Sequence, residues 1–168
     1  MDLVFQSCVP VRYRHALERL VFFNPNQVSM QGAIARALDL YGTPEIVSGP
    51  AGLSLRVSGC LEAQCLFALD TDRRAALAGM LVYLRTSIEE ILVVHIAVSE
   101  THGRTRRTGM GVAMRLIREL RASARQLRGV QWIRLLYTDD RHYQIRLSAR
   151  PGPESFEPAP ARPIRLVS

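Results

Sequence analysis

The chain has 168 residues, which suits one domain able to bury a sizeable core. Hydrophobic residues make up 48%, ordinary for a globular protein, and no apolar run of about eighteen residues occurs, so no transmembrane helix is expected. The net charge of +7 comes from arginine alone, since the sequence holds no lysine. That bias points to a GC-rich genome more than to physics, and the basic surface it leaves attracts anions without selecting among them. The N-terminus lacks the basic-then-apolar pattern of a signal peptide, and a cytoplasmic location is expected. Cys8, Cys60 and Cys65 are odd in number with no C-x-x-C pair, which argues against a disulfide framework or a structural zinc and makes them buried or semi-buried thiols.

Residues 3–9 (LVFQSCV) predict a first strand closed by Pro10. Residues 11–23 predict a helix with Tyr13, Ala16, Leu17, Leu20 and Val21 on one face, ended by Asn24-Pro25-Asn26. A second helix starts at Ser29 and runs to about Leu40, stopped by Gly42, Thr43 and Pro44. Residues 45–62 carry four glycine or proline breaks around the apolar stretch 53–57, which predicts a loop with one extra or edge strand. Residues 64–70 (QCLFALD) and 76–85 read as two strands joined by Thr71-Asp72-Arg73-Arg74, with Gly79 marking a bulge or a close backbone approach.

Residues 91–98 (ILVVHIAV) form a short β-branched run, interrupted only by His95, that predicts a buried central strand. Residues 99–108 hold Gly103, four hydroxyl residues and three arginines, and predict a basic loop. From Gly109 or Met110 the period becomes helical, with Ala113, Leu116, Ile117, Leu120, Ala124 and Leu127 on one face. Gly129 is a C-cap candidate, and 130–137 (VQWIRLLY) predicts a strand parallel to the central one. Residues 138–149 read as a turn plus strand. The tail from Arg150 holds five of the nine prolines and reads as an extended, poorly ordered segment, so the chain divides into a domain over 1–149 and a tail over 150–168.

At the strand-to-helix handover, Arg106, Arg107, Thr108, Gly109, Met110 and Gly111 combine small residues, positive charge and the N–H groups of a helix start, which favour an anion such as a phosphate. Arg106-x-x-Gly109-x-Gly111 after a strand ending His95-Ile96-Ala97-Val98 resembles the acyl-CoA signature of the GNAT superfamily of N-acetyltransferases. The resemblance covers residues 64–137 best. It implies an α+β fold with a central mixed sheet, an antiparallel meander followed by a β-α-β crossover, and helices on both faces. It further implies an N-acyltransferase using acetyl-CoA as donor, with the loop amides on the CoA pyrophosphate. Two departures stand out. The loop is a few residues longer than the family's, and the helix with an aromatic and a G-F pair that normally follows the last strand has no counterpart.

Transfer to an amine needs a base, an oxyanion donor and an acid for the leaving thiolate. The resemblance places the oxyanion amide near Ile96, Ala97 or Val98. The resemblance implies a base on the face shared with Val98; by alternation that face holds Ile96, Val94, Leu92 and Glu90, of which only Glu90 can accept a proton. Its other reading is a solvated turn carboxylate. His95 lies on the opposite face unless a bulge flips it, and a lone His in an apolar strand also suits the core. Tyr143 is the preferred substitute for the family's acid, ahead of Tyr137. The acceptor is expected to be an amine of unspecified identity; nucleic acid, suggested only by the arginines, and a homodimer through a C-terminal sheet edge are the other partners the sequence leaves open.

Overall fold

A computed structural model describes residues 1–59, 62–73, 76–103, 106–136, 143–147 and 157–158, of which 26, 29, 30, 33, 73, 106–110 and 157–158 are described by backbone alone. In chain order the strands are β1 (Leu3–Gln6), β2 (Pro44–Gly49), β3 (Gly52–Val57), β4 (Gln64–Asp70), β5 (Ala76–Arg85), β6 (Glu90–Val98), β7 (Trp132–Leu135), β8 (Tyr143–Arg146) and β9 (Glu157–Pro158). The helices are α1 (Arg14–Phe22), α2 (Gln31–Tyr41), α3 (Glu100–Gly103) and α4 (Arg106–Ala124), with 3-10 turns at Val11–Tyr13, Pro25–Met30 and Thr71–Arg73. Among the described residues no helix is long and apolar enough to cross a membrane.

One mixed sheet runs in the order β1-β4-β5-β6-β7-β8-β9. The stretch β4, β5 and β6 is an antiparallel meander, and β6 pairs β7 in parallel, Glu90 opposite Trp132 through Val93 opposite Leu135. The connection is made by α4, so the meander-then-crossover order expected from the resemblance is present. The expected helices on both faces are also present. Leu17, Leu20 and Val21 of α1 pack with Leu53, Leu55, Phe67, Met80, Val82, Leu92 and Val94 on one side of the sheet. On the other, Val112, Leu116, Leu120 and Ala124, a stripe at four-residue spacing, pack with Leu81, Ile91, Val93, Ile96 and Ile133.

Gly79 sits where α4 presses closest to the sheet. A Cβ there would lie 2.8 Å from the Ala97 carbonyl oxygen and 3.0 Å from a Val112 methyl carbon. Its neighbour Ala78 is the extra residue of a bulge, since Ala68 faces Gly79 while Leu69 faces Leu77. Both readings of that glycine therefore hold.

Other elements differ from expectation. Instead of one edge strand, residues 44–57 form a separate two-stranded hairpin, closed by Pro50 and Ala51 between the paired Gly49 and Gly52. The half-polar β2 carries little apolar signal of its own; alternately buried Leu53, Leu55 and Val57 in β3 give it a partner to pair with. Gly52 is needed at φ +120, and a Cβ on it would lie 2.5 Å from the Val9 carbonyl oxygen. That same contact keeps Val9 out of β1, because Val9 exchanges backbone hydrogen bonds with Leu53 instead. At the C-terminal end, Glu157–Pro158 pairs with Tyr143 and Gln144, so two residues of the expected tail join the sheet and cover the end of β8 offered as a dimer edge.

Candidate functional site

The candidate site lies where β6 outruns β7. The Leu136 N–H donates to the Val93 carbonyl oxygen at 2.9 Å, one residue past the last β6–β7 pair, and β6 continues for five residues beyond Val93. Ile96, Ala97 and Val98, the residues whose backbone was expected to face a thioester, belong to this projecting segment. The chain then passes through α3 and enters α4. Residues 99–108, expected to be loop, are helical over Glu100–Gly103 and again from Arg106, so α4 starts about one turn earlier than Gly109. Arginine and methionine are strong helix formers, and two glycines in a helix cost only about 1 kcal/mol each, less than a 19-residue amphipathic helix gains by packing.

Arg106, Arg107, Thr108, Gly109 and Met110 therefore occupy the first turns of α4, where unpaired N–H groups and the positive end of the helix dipole lie; their side chains fall outside the described residues. Gly111 is informative because, among the described residues, nothing lies within 4 Å of where its Cβ would be. Packing against the described residues does not require a glycine there.

A bulge in β6 lies next to His95. Val82 faces His95 while the next residue, Tyr83, faces Val93, leaving Val94 as the extra residue of β6. Simple alternation from Val98 holds as far as His95, which shares the α1–α2 side with Ala97, and fails at Val94, which packs on that side too. The sequence reading put His95 opposite Val98 unless a bulge flipped it; the bulge falls one residue before His95, which keeps that side. His95 forms part of the wall of a cavity of about 60 Å³ with Ile34, Leu38, Tyr41, Met80 and Val82. Ile34, Leu38 and Pro44 are shared with a groove of about 580 Å³ between α1 and α2, so the small pocket opens beside a larger one. Burial in these apolar surroundings pushes the imidazole down to about 4. The ring is neutral at pH 7. Its Nε2 lies 2.9 Å from the Gln27 side-chain nitrogen, which also donates to the Leu20 carbonyl oxygen at 3.3 Å. An amide nitrogen only donates, so Nε2 accepts and the ring proton sits on Nδ1.

Glu90 is elsewhere. Its Oε1 accepts from Arg134 Nη2 at 2.9 Å and from the Thr86 hydroxyl at 2.7 Å, at the opposite end of β6 from Val98. Five strand residues, about 17 Å, separate it from His95. Tyr143 stands opposite Leu135 on β8, half-buried against the α4 side of the sheet, the face His95 does not occupy. The structure thus brings His95 together with the backbone of 96–98 and separates both from Glu90. Tyr137 and Cys60 lie outside the described residues. Of the other thiols, Cys8 is half-buried and Cys65 is buried, its Sγ donating to the Leu55 carbonyl oxygen at 3.3 Å, with burial raising its pKa to about 12.

Three polar groups near the end of β6 escaped the sequence reading. Asn24, 8% exposed, donates from Nδ2 to the Val98 carbonyl oxygen at 2.8 Å and ties the end of α1 to the end of β6. Asp70 and His102, 2% and 4% exposed, are hydrogen-bonded Oδ2 to Nε2 at 2.9 Å. His102 Nδ1 in turn lies 2.7 Å from the Ser99 hydroxyl. Ser99 borders a cleft of about 310 Å³ with Tyr13, Arg19, Phe23 and Leu77. The only sequence signal was a histidine among hydroxyl residues, Ser99-x-Thr101-His102, and its carboxylate partner lies 32 positions earlier.

No family model and no curated protein matches the sequence. Among solved structures, the chain is similar to an IAA acetyltransferase from Bacillus cereus ATCC 14579, with TM-score 0.43 and 13% identity over 80% of this chain and 65% of that one. It is also similar to a GNAT family acetyltransferase from Elizabethkingia anophelis with acetyl-CoA bound, with TM-score 0.42 and 10% identity over 80% of this chain and 64% of that one. The chain therefore spans just under two thirds of the length of either protein.

Proposed function

We propose that the protein is an acyl-CoA-dependent N-acyltransferase, with acetyl-CoA as the donor and a primary amine as the acceptor. The observation that carries this reading is Gly111. A glycine in the second turn of a long helix costs about 0.5–1 kcal/mol relative to alanine, and at Gly111 no neighbouring atom of the described residues demands it. The remaining reason is close approach by a ligand to the helix backbone, at the end where the dipole and arginine-rich sequence favour phosphate.

In this reading the pyrophosphate lies on the first turns of α4, Arg106 to Gly111, and the thioester lies against the backbone of Ile96, Ala97 and Val98. The acceptor enters from the α1–α2 side through the apolar groove. There the same loss of water that lowers the His95 pKa also lowers that of the amine, so the pocket selects the neutral, nucleophilic form. The amine N–H replaces the Gln27 amide as donor to His95 Nε2, and the proton released after attack passes to that nitrogen. Tyr143 is the candidate acid for the leaving thiolate, and Glu90, held by Arg134, has no direct part.

A second reading is an acyl-CoA-binding protein without catalysis. It is favoured by one observation, that His95 Nε2 and Glu90 Oε1 each already have a hydrogen-bond partner, Gln27 and Arg134.

Calorimetric titration with acetyl-CoA tests the donor site. Binding is expected in the wild type and its loss in Gly109→Glu, which sets a carboxylate against the pyrophosphate; a folded wild type that does not bind would remove both readings. Turnover with a panel of amines then separates them. His95→Gln is expected to lower turnover about 100-fold or more with acetyl-CoA binding unchanged, as for loss of a general base. Binding without any turnover would leave the second reading.

A further inference from the structure

The three-residue chain Asp70, His102 and Ser99 has a part in neither reading, and its geometry is that of an activated nucleophile. A carboxylate oxygen only accepts, so the 2.9 Å contact of Asp70 Oδ2 places the ring hydrogen of the neutral imidazole on His102 Nε2. Nδ1 then carries the lone pair. The Ser99 hydroxyl, 2.7 Å away, donates to it. Asp70 is itself held in orientation, because its Oδ1 accepts the Asp72 N–H at 3.1 Å. Both the base and its orienting carboxylate are almost wholly buried, whereas the serine borders the open cleft. Nucleophile, base and orienter thus stand at hydrogen-bond distance in sequence, the arrangement that activates a hydroxyl.

Helix capping does not account for this serine. The N–H groups of His102 and Gly103 close the turn of α3 on the Ser99 backbone carbonyl, at 3.0 and 2.8 Å, and leave its side chain to the imidazole. Thr101 Oγ1 is the competing hydroxyl, 3.2 Å from both Ser99 Oγ and His102 Nδ1, and the shorter contact selects Ser99.

We propose that Ser99, with His102 as base and Asp70 as orienting group, is a nucleophilic centre that takes the acyl group of small activated esters or thioesters from the cleft beside α1. Ser99 Oγ attacks the acyl carbonyl as its proton passes to His102 Nδ1. The tetrahedral oxyanion forms in a cleft where the Arg19 guanidinium, paired with Glu100 at 3.3 Å, supplies N–H donors. Collapse breaks the bond to the leaving alkoxide or thiolate, which takes the proton from His102. The acyl-serine is then cleared by water, whose proton follows the same path and whose oxygen leaves in the carboxylic acid. The apolar cleft walls, Tyr13, Leu20, Phe23 and Leu77, suit a short apolar acyl chain.

The test is labelling of the whole protein with a fluorophosphonate, mapped by peptide mass spectrometry, alongside hydrolysis of p-nitrophenyl acetate. Expected are a phosphonyl adduct on Ser99, ester hydrolysis that Ser99→Ala abolishes, and labelling at least about 100-fold slower in His102→Gln. Ser99→Ala keeps the buried Asp70–His102 pair, so its fold is preserved even if His102→Gln unfolds. An unlabelled Ser99 in folded wild type, an adduct on Thr101 instead, or labelling of a folded His102→Gln at the wild-type rate would overturn the proposal. None of these outcomes bears on acetyl-CoA binding by α4, so this centre and the proposed acyltransferase site stand or fall separately.

Discussion

The two sides of β6 are made of the same kinds of apolar residue and are packed differently. Towards α4, Ile91, Val93 and Ile96 meet a stripe of fully or nearly fully buried side chains, with Gly79 letting the helix settle against the backbone. Towards α1 and α2, the bulge sets Val94 on the same side as His95, and the cavities of about 60 and 580 Å³ open there. Exposed Phe22, Phe23, Val28 and Leu38 belong to the same side. The difference is one of division of labour. Close packing on one side holds the strand in place, which allows the other to keep space beside a desolvated imidazole.

The sharpest way to break this contrast is to truncate one leucine on each side. Leu116→Ala, on the packed side and 0% exposed, is expected to cost about 3 kcal/mol, because a rigid surrounding cannot close the cavity. Leu38→Ala, 39% exposed on the open side, is expected to cost less than about 1 kcal/mol, since water already reaches the site. Urea unfolding of both variants reads the difference directly. Equal losses would mean that the α2 side is packed as tightly as the α4 side.

A comparable effect should appear with pH. In the unfolded chain His95 takes a proton near its ordinary value of 6.5, whereas in the folded protein burial holds it at about 4. Between those values the unfolded state binds more protons, so this group weakens the fold as pH falls from about 6.5 and stops doing so below about 4. The whole span is worth roughly 3 kcal/mol. His95→Leu removes it, and the stability difference between variant and wild type should therefore shift in the variant's favour on acidification. A difference that stays level from pH 7 to 4 would place the ring in water.

What could be read from the sequence follows the range of the interactions. The bounds of β4 and β5 were legible because their apolar runs are closed by local punctuation, Thr71-Asp72 on one side and Thr86 on the other. The crossover from β6 through α4 to β7 was legible from the change of period. The bulge at Val94 was not, because it exists only in the pairing with Val82 and Tyr83. The start of α4 was misplaced because two glycines look like a loop until the packing of Val112 and Leu116 outweighs their cost. The union of Asp70 and His102 was invisible for a plainer reason: Asp70 reads as a strand end and His102 as part of a basic loop, and only the fold brings them to 2.9 Å.

The smallest effect tests the ligand side of the contrast. Gly111→Ala introduces a methyl group that meets no atom of the described residues and removes the conformational freedom of a helical glycine, so the protein should become more stable by about 0.5–1 kcal/mol. If the position is kept small for a ligand, the same variant should bind acetyl-CoA more weakly, because the methyl group stands where the pyrophosphate would approach the α4 backbone. Thermal unfolding and calorimetric titration on one sample measure both. A gain in stability with unchanged affinity would mean that neither packing nor the donor asks for a glycine at Gly111, and the observation carrying the acyltransferase reading would be gone. A gain in stability with lost affinity is the signature of a residue retained against the interest of the fold, which is what a binding site on an otherwise closely packed helix requires.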